Sequence, residues 1–350
     1  MASAASSHHR HLLLHCPSFP SSSHVFFSVC RRNQTRFLRM EPSCFLPLLL
    51  LLLLCPAAAP FRICAFNTQR FAQGKADKVR VMDTLVKILS RCDISVLQEV
   101  MDAKGKAIPA LVAALNQYDR SSPYSYLTSP LLGRGNYQER YVFIYRKKRT
   151  RLLDFYSYED NNPDRPDVFA REPFIVRFSV PIKKLPELVL IPQHTMPSKA
   201  EAEIDALYDV FLNVQARWGT EDMIFLGDFN ADCGYVAKKR WGQIRLRQEP
   251  DFHWLIGDKV DTTVRENSRC AYDRIVVHGE RCLAAVVPGS AQPFNFPKEF
   301  GLSEAEALEV SDHYPVEVEL NIGHWRCQPA SPAGLVLLAI AMLSGSGYGI

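Results

Sequence analysis

The decapeptide MIFLGDFNAD at residues 223–232 constrains this chain more than any other stretch. Its first four residues form an apolar run after a helix-like segment at 204–218, which predicts a buried strand broken at Gly227. Past that strand stand Asp228, Asn230 and Asp232. Two carboxylates and an amide lifted to the mouth of a sheet suit a metal ion, a water or phosphate oxygens. An Asx-rich turn closing a strand is the plainer reading of these residues taken alone.

The rest of the chain repeats the pattern of apolar strands that end in polar side chains. Residues 61–66 alternate and stop at Asn67; residues 75–89 then place Val79, Met82, Val86 and Leu89 at helical spacing. A second strand, 94–97, closes on Gln98 and Glu99, and a lone acid there is either a solvated strand end or the carboxylate of a magnesium site. A helix at 105–116 follows. Strands at 124–127 and 141–146 bracket a loop with Gly133, Arg134, Gly135, Tyr137 and Glu139, whose glycines permit close backbone approach. Lys147, Lys148, Arg149 and Arg151 read as a solvated hairpin tip rather than a phosphate contact, and residues 160–167 as an exposed loop. Strands at 174–180 and 188–192 come next, with His194 just beyond; alone, such a histidine is more often structural than catalytic. Asp273 leads into a strand at 275–278, and Asp312 and His313 precede a last one at 316–320. On a regular strand those two neighbours would point to opposite faces.

The ends differ from this middle. Residues 44–59 read CFLPLLLLLLLCPAAA, an apolar block of signal-peptide length followed by small residues, with Met40 placed to start it. Residues 1–59 therefore read as a leader with a secretory signal, an uncleaved signal anchor being the other reading. Residues 323–350 hold a Pro/Ala/Ser stretch and the apolar run 335–343, the outline of a lipid-anchor signal or else a disordered tail. Between them, residues 60–322 suit one large α/β domain. The net charge of +4 belongs to the leader, whose five Arg and one Glu leave 36 basic and 36 acidic residues elsewhere. Overall charge thus offers no argument for nucleic acid; any such argument must be local. Six cysteines follow the leader, which secretion would permit to pair, although spacing alone does not say how.

Collected at the strand ends are Asn67, Glu99, Glu139, His194, Asp228, Asn230, Asp273, Asp312 and His313. They lack the thiolate spacing of a structural zinc site and match a hard, oxygen-ligated divalent ion beside acid-held imidazoles. Phosphodiester hydrolysis needs an activated water, stabilisation of phosphoryl charge and a proton for the leaving oxygen, and this set can supply each.

LQEV at 97, GRGNYQERY at 133, FAREPF at 169, LGDFNADC at 226, CAYDRIVV at 270 and SDHYPVEVEL at 311 together resemble the secreted deoxyribonuclease I family of the endonuclease/exonuclease/phosphatase superfamily. The resemblance implies a four-layer α/β sandwich of two packed mixed sheets flanked by helices, with the site at one end. It pairs His194 with Glu139 and His313 with Asp273, one pair assisting the attacking water and the other protonating the leaving 3′ oxygen. Glu99 and Asp312 would ligate Mg²⁺ or Mn²⁺, while Asn67, Asp228 and Asn230 hold phosphate, water or a second ion. Arg171 would contact a phosphate, and Arg134 and Tyr137 the minor groove of double-stranded DNA. Asp261 and Thr263 would hold a structural Ca²⁺, and Cys233 would pair with Cys270. A monomer in the secretory pathway, extracellular or at the cell surface, with 5′-phosphate products, completes the expectation.

Several positions depart from the family pattern. Met101 stands where relatives carry an Arg, which removes a groove contact. The calcium-binding disulfide loop has no cysteine within 161–168, and the loop from Asp261 to Cys270 is one residue longer. The segment from Leu127 to Pro130 differs from the actin-contacting surface, so tight inhibition by actin is not expected. An inositol-lipid phosphatase of the same superfamily and a non-catalytic surface binding protein are the competing readings.

Overall fold

The computed structural model describes residues 59–323, apart from 164. Twelve strands form two mixed six-stranded sheets. The first sheet holds β1 (Phe61–Phe71), β2 (Ile94–Val100), β3 (Tyr124–Thr128), β4 (Arg140–Arg146), β11 (Gln292–Pro293) and β12 (Val316–Leu320), in the order β11-β12-β1-β2-β4-β3. The second holds β5 (Arg151–Ser157), β6 (Phe174–Ser179), β7 (Glu187–Pro192), β8 (Met223–Asp228), β9 (His253–Trp254) and β10 (Asp273–His278), in the order β5-β6-β7-β8-β10-β9. Each sheet has one parallel pair, β1 with β2 and β7 with β8, and a parallel pair needs a crossover. Helix α1 (Val79–Leu89) lies between β1 and β2 in sequence, and helix α3 (Ala200–Trp218) between β7 and β8; α2 (Ala107–Tyr118) follows β2.

Four layers result because both faces of both sheets are buried. Phe61, Ile63, Ile94, Val96 and Phe143 of the first sheet meet Val176, Leu190, Ile224, Leu226 and Ile275 of the second in a central core. The opposite faces pack outward: Phe66, Leu97 and Val142 against Leu85, Ile88 and Leu111 of α1 and α2, and Val189, Ile191 and Phe225 against Ile204, Leu207 and Val214 of α3. Burying each such side chain contributes about 1.5–3 kcal/mol. Strands covered on two sides read as continuous apolar runs, which is why 94–97 and 223–226 show no alternation.

Several expected elements shift. β1 continues past Asn67 to Phe71 through a register irregularity, with Gln69 and Arg70 at positive φ. β8 runs through Gly227 to Asp228. The helix expected at 75–89 is divided: a short turn at Gln73–Ala76, then α1 from Val79. Val79, assigned by spacing to the apolar face, is 74% exposed; Val86 and Leu89 are buried as expected, and Val81, Leu85 and Ile88 join them. The basic cluster is not a hairpin tip. It turns the chain from β4 in one sheet to β5 in the other, and Arg149 bonds both oxygens of buried Asp93 at 2.9 Å. β5 itself escaped the pattern because its face is only half buried.

Disulfides join Cys233 to Cys270 and Cys64 to Cys92, and Cys282 is buried and free. The first pairing agrees with the family expectation; the second ties β1 to the turn before β2 and was not anticipated. No helix among the described residues is long and apolar enough to cross a membrane. The expected leader and tail lie outside the described residues, except for 59 and 323.

Candidate active site

Topology gathers the polar strand ends at one edge. β1 and β2 run parallel, so Asn67 and Glu99 reach the same side; β7 and β8 do likewise for His194 and Asp228. Their antiparallel partners begin there. Arg140 stands opposite Val100, which brings Glu139 in; Asp273 is registered with Asp228, and Val316 with Ala65, which brings His313 and Asp312 close.

The histidine pairs then cross between sheets. His194, beyond β7 in the second sheet, donates from Nδ1 to Oε1 of Glu139 in the first, at 2.7 Å. His313, before β12 in the first sheet, donates from Nδ1 to Oδ2 of Asp273 in the second, at 2.8 Å. Each bond fixes the tautomer and turns Nε2 inward. Both Nε2 atoms lie 3.6 Å from the same oxygen, Asp228 Oδ2. Asn67 donates from Nδ2 to that oxygen at 3.1 Å and to Glu99 Oε1 at 3.0 Å. Asn230 donates its backbone N–H to Asp228 Oδ1 at 2.9 Å, while its side chain bonds Thr195 O. Glu99 and Asn230 both have positive φ, 54° and 46°, and such strain collects where surrounding structure holds a site in place.

Charge is distributed unequally over this cluster. Burial disfavours the His313 cation, yet Asp273 and Asp228 outweigh it and raise its pKa to about 10. Burial also opposes the His194 cation; Glu139 overcomes this and raises the pKa, against the nearby Arg171 guanidinium. Asp228 is held below the usual carboxylate range despite its burial, by the two imidazoles. Burial lifts the Asp273 carboxyl; within its pair we assign the proton to His313, which Asp228 also favours.

The endonuclease/exonuclease/phosphatase family model matches residues 64–313. Deoxyribonuclease-1-like 1 from Sus scrofa is 55% identical over 303 residues, covering 87% of this chain and 94% of its own. The Homo sapiens protein of that name is 53% identical over 293 residues, 83% and 95% of the two chains. The chain belongs to the deoxyribonuclease I family. Human deoxyribonuclease gamma is 46% identical over 276 residues, 79% of this chain and 90% of its own. An endonuclease/exonuclease/phosphatase structure from Bacteroides vulgatus, at 17% identity, covers 75% of this chain and 99% of its own with a TM-score of 0.51, a likeness of fold alone.

In this deoxyribonuclease I family chain the outlying predicted residues divide. Arg171 is buried, donates from Nε to His194 O at 2.8 Å, and leaves Nη2 without a partner among the described residues. A pocket of about 330 Å³ is lined by Arg171 together with Glu99, Tyr137 and His194. Arg134 also lines the pocket, but its guanidinium bonds Asp167 Oδ2 at 2.6 Å and Phe169 O at 3.0 Å. Groove contact would require those bonds to exchange. Asp232 turns away from the mouth and accepts from Ala271 N at 2.9 Å. Asp261 Oδ1 accepts from Thr263 N and Oγ1 at 3.0 and 2.7 Å, and Thr262 Oγ1 next to them accepts from Asp273 N, so this loop braces the site from outside it.

The donors fit a hard divalent ion. Glu99, Asp228 and Asp312 are carboxylates and no cysteine is present in the cluster; Asn67 turns its amide nitrogen toward Glu99 and Asp228, while its oxygen accepts from Gln69 N at 2.9 Å. Burial lowers the Lys75 pKa to about 8, and the charges of Asp312 and Glu99 oppose that shift. Asp228, Asp273 and His313 also approach as three candidate ligands, but the His313–Asp273 bond already occupies one imidazole nitrogen.

Sequence reasoning missed the residues behind the mouth. Buried Glu203 accepts from Gln193 Nε2 at 2.9 Å and from Met196 N at 3.1 Å, holding the turn that carries His194. Lys75 donates to Thr68 O at 3.0 Å and Val310 O at 2.7 Å. Gln98 touches both sheets. The signal for all three was slight: single polar residues within or beside apolar runs.

Proposed function

We propose that the chain is a divalent-metal-dependent endonuclease that hydrolyses double-stranded DNA, leaving 5′-phosphate and 3′-hydroxyl ends. The observation that carries this reading is the pair of imidazole Nε2 atoms, each 3.6 Å from Asp228 Oδ2 and each backed by a carboxylate of the opposite sheet. Water attacks phosphorus, losing its proton to one imidazole, as the other gives its proton to the departing 3′ oxygen. The charge distribution favours His313 as the acid, since two carboxylates support its cation, and His194 as the base, since Arg171 opposes its cation. Asp228 orients the water, and the Arg171 guanidinium, which lines the adjoining pocket, supplies positive charge beside the phosphate. Mg²⁺ or Mn²⁺ held by Glu99 and Asp312, with Asp228 nearby, would supply positive charge to the phosphoryl oxygens. Ca²⁺ at Asp261 and Thr263 would stiffen the bracing loop.

The named deoxyribonuclease relatives support DNA as the substrate. Two disulfides support passage through the secretory pathway, to the endoplasmic reticulum and outward. We further propose a monomer, with the apolar tail directing surface anchorage. The test is nicking of supercoiled plasmid in Mg²⁺ and Ca²⁺, with a phosphoinositide offered to the same preparation. His194→Ala and His313→Ala should each lower nicking by about 10²–10⁴-fold. Unchanged nicking in both, or turnover of the lipid but not the plasmid, would overturn the reading.

A further inference from the structure

Where β7 and β8 leave their parallel ladder, one rung is missing. Gln193 N donates to Leu226 O at 3.1 Å, and two residues on Thr195 N donates to Asp228 O at 3.1 Å. Between them a regular parallel ladder would place a bond from Asp228 N to Gln193 O. Instead, the carboxamide of Gln98 occupies the gap. Asp228 N donates to Gln98 Oε1 at 3.0 Å, and Gln98 Nε2 donates to Gln193 O at 2.5 Å. Gln98 belongs to β2 of the other sheet and is fully buried. Its own carbonyl accepts from Thr68 Oγ1 at 2.7 Å, next to Asn67.

We infer that Gln98 is a positioning residue: its carboxamide, inserted into the β7–β8 ladder, holds His194 and Asp228 apart and ties both to the strand that carries Glu99. One side chain thereby sets the spacing among residues from both sheets. Gly227 makes room for it, since a Cβ there would overlap Gln98 Nε2 and come within 2.5 Å of Gln193 O. Without the carboxamide, Asp228 N and Gln193 O would be buried and unpaired, so they would bond directly and close the ladder by one rung. That closure draws the turn before His194 toward Asp228, and misplacement on the scale of 1 Å costs about 10²-fold in rate.

The inference rests on the nuclease reading above. Gln98→Met keeps volume and removes both bonds. In the full chain its kcat for plasmid nicking should fall about 10–100-fold while KM for DNA stays within twofold, because the DNA-facing residues are untouched. A folded Gln98→Met protein with kcat within twofold of wild type, or with the loss confined to KM, would overturn the positioning role. The wild-type protein supplies an independent readout by nuclear magnetic resonance. The Asp228 amide should exchange with solvent as slowly as core-ladder amides, and the Gln98 carboxamide protons should be resolved and protected. Rapid exchange of either overturns the inference even if the variant does not fold. Active Gln98→Met beside inactive His194→Ala removes this inference alone; activity in Gln98→Met, His194→Ala and His313→Ala alike removes the nuclease reading as well.

Discussion

Replacing Gly227 by Ala tests the packing of the mouth most sharply. Gly227 has φ +131°, a conformation L side chains rarely adopt. An added Cβ would overlap Gln98 Nε2, with Gln193 O at 2.5 Å and Gln98 Cδ at 2.9 Å. Backbone strain of this kind costs about 1–3 kcal/mol, and overpacking a full core about 1–3 kcal/mol more. The sum, about 2–6 kcal/mol, is a large part of the 5–15 kcal/mol that typically holds a domain folded. Urea unfolding followed by tryptophan fluorescence would measure it. Gln98→Ala removes two of the three close atoms but leaves Gln193 O and the φ penalty. Gly227→Ala should therefore cost about 1–2 kcal/mol less in the Gln98→Ala background than in wild type. A cost below about 1 kcal/mol in wild type, or an equal cost in both backgrounds, would refute the reasoning.

Two further outcomes are expected. The Cys64–Cys92 bridge closes a loop with a sequence separation of 28, so Cys64→Ala/Cys92→Ala should lower unfolding stability by about 3.5 kcal/mol in urea titrations; a loss under about 1 kcal/mol would count against the bridge. In chelated, metal-free protein the folded His313 pKa of about 10 exceeds the unfolded value of 6.5. Its stabilisation is therefore complete below about pH 6.5 and fades as pH rises toward 10, so the wild-type Tm should drop more steeply over that window than that of His313→Gln. Parallel curves would contradict the assignment.

The site was legible as a set of strand ends, because a polar residue after a buried apolar run has to emerge at a sheet edge. Glu99, His194 and Asp228 stand at or just past such ends, Asn67 stands where the register of β1 breaks, and the structure places all four at one mouth. Gln98 has the same local pattern as Glu99 but points the other way along a pleated strand, into the space between the sheets. Glu203 looks like one more polar position of an amphipathic helix, yet the turn after His194 folds over it. Val79 fitted the apolar spacing of α1 and lies on its exposed first turn.

Apolar runs and their polar ends determined, from sequence alone, that this chain builds buried strands with polar side chains at their tips. Hydrophobic burial is local enough in period for that. Which acid meets which histidine was named by the family resemblance and left no periodic trace of its own; stacking one sheet on the other brings the pairs together, since Glu139 and His194, like Asp273 and His313, come from opposite sheets. The same stacking inserted Gln98 into a ladder it does not belong to, and a bond between strands of different sheets leaves no periodic trace along the chain.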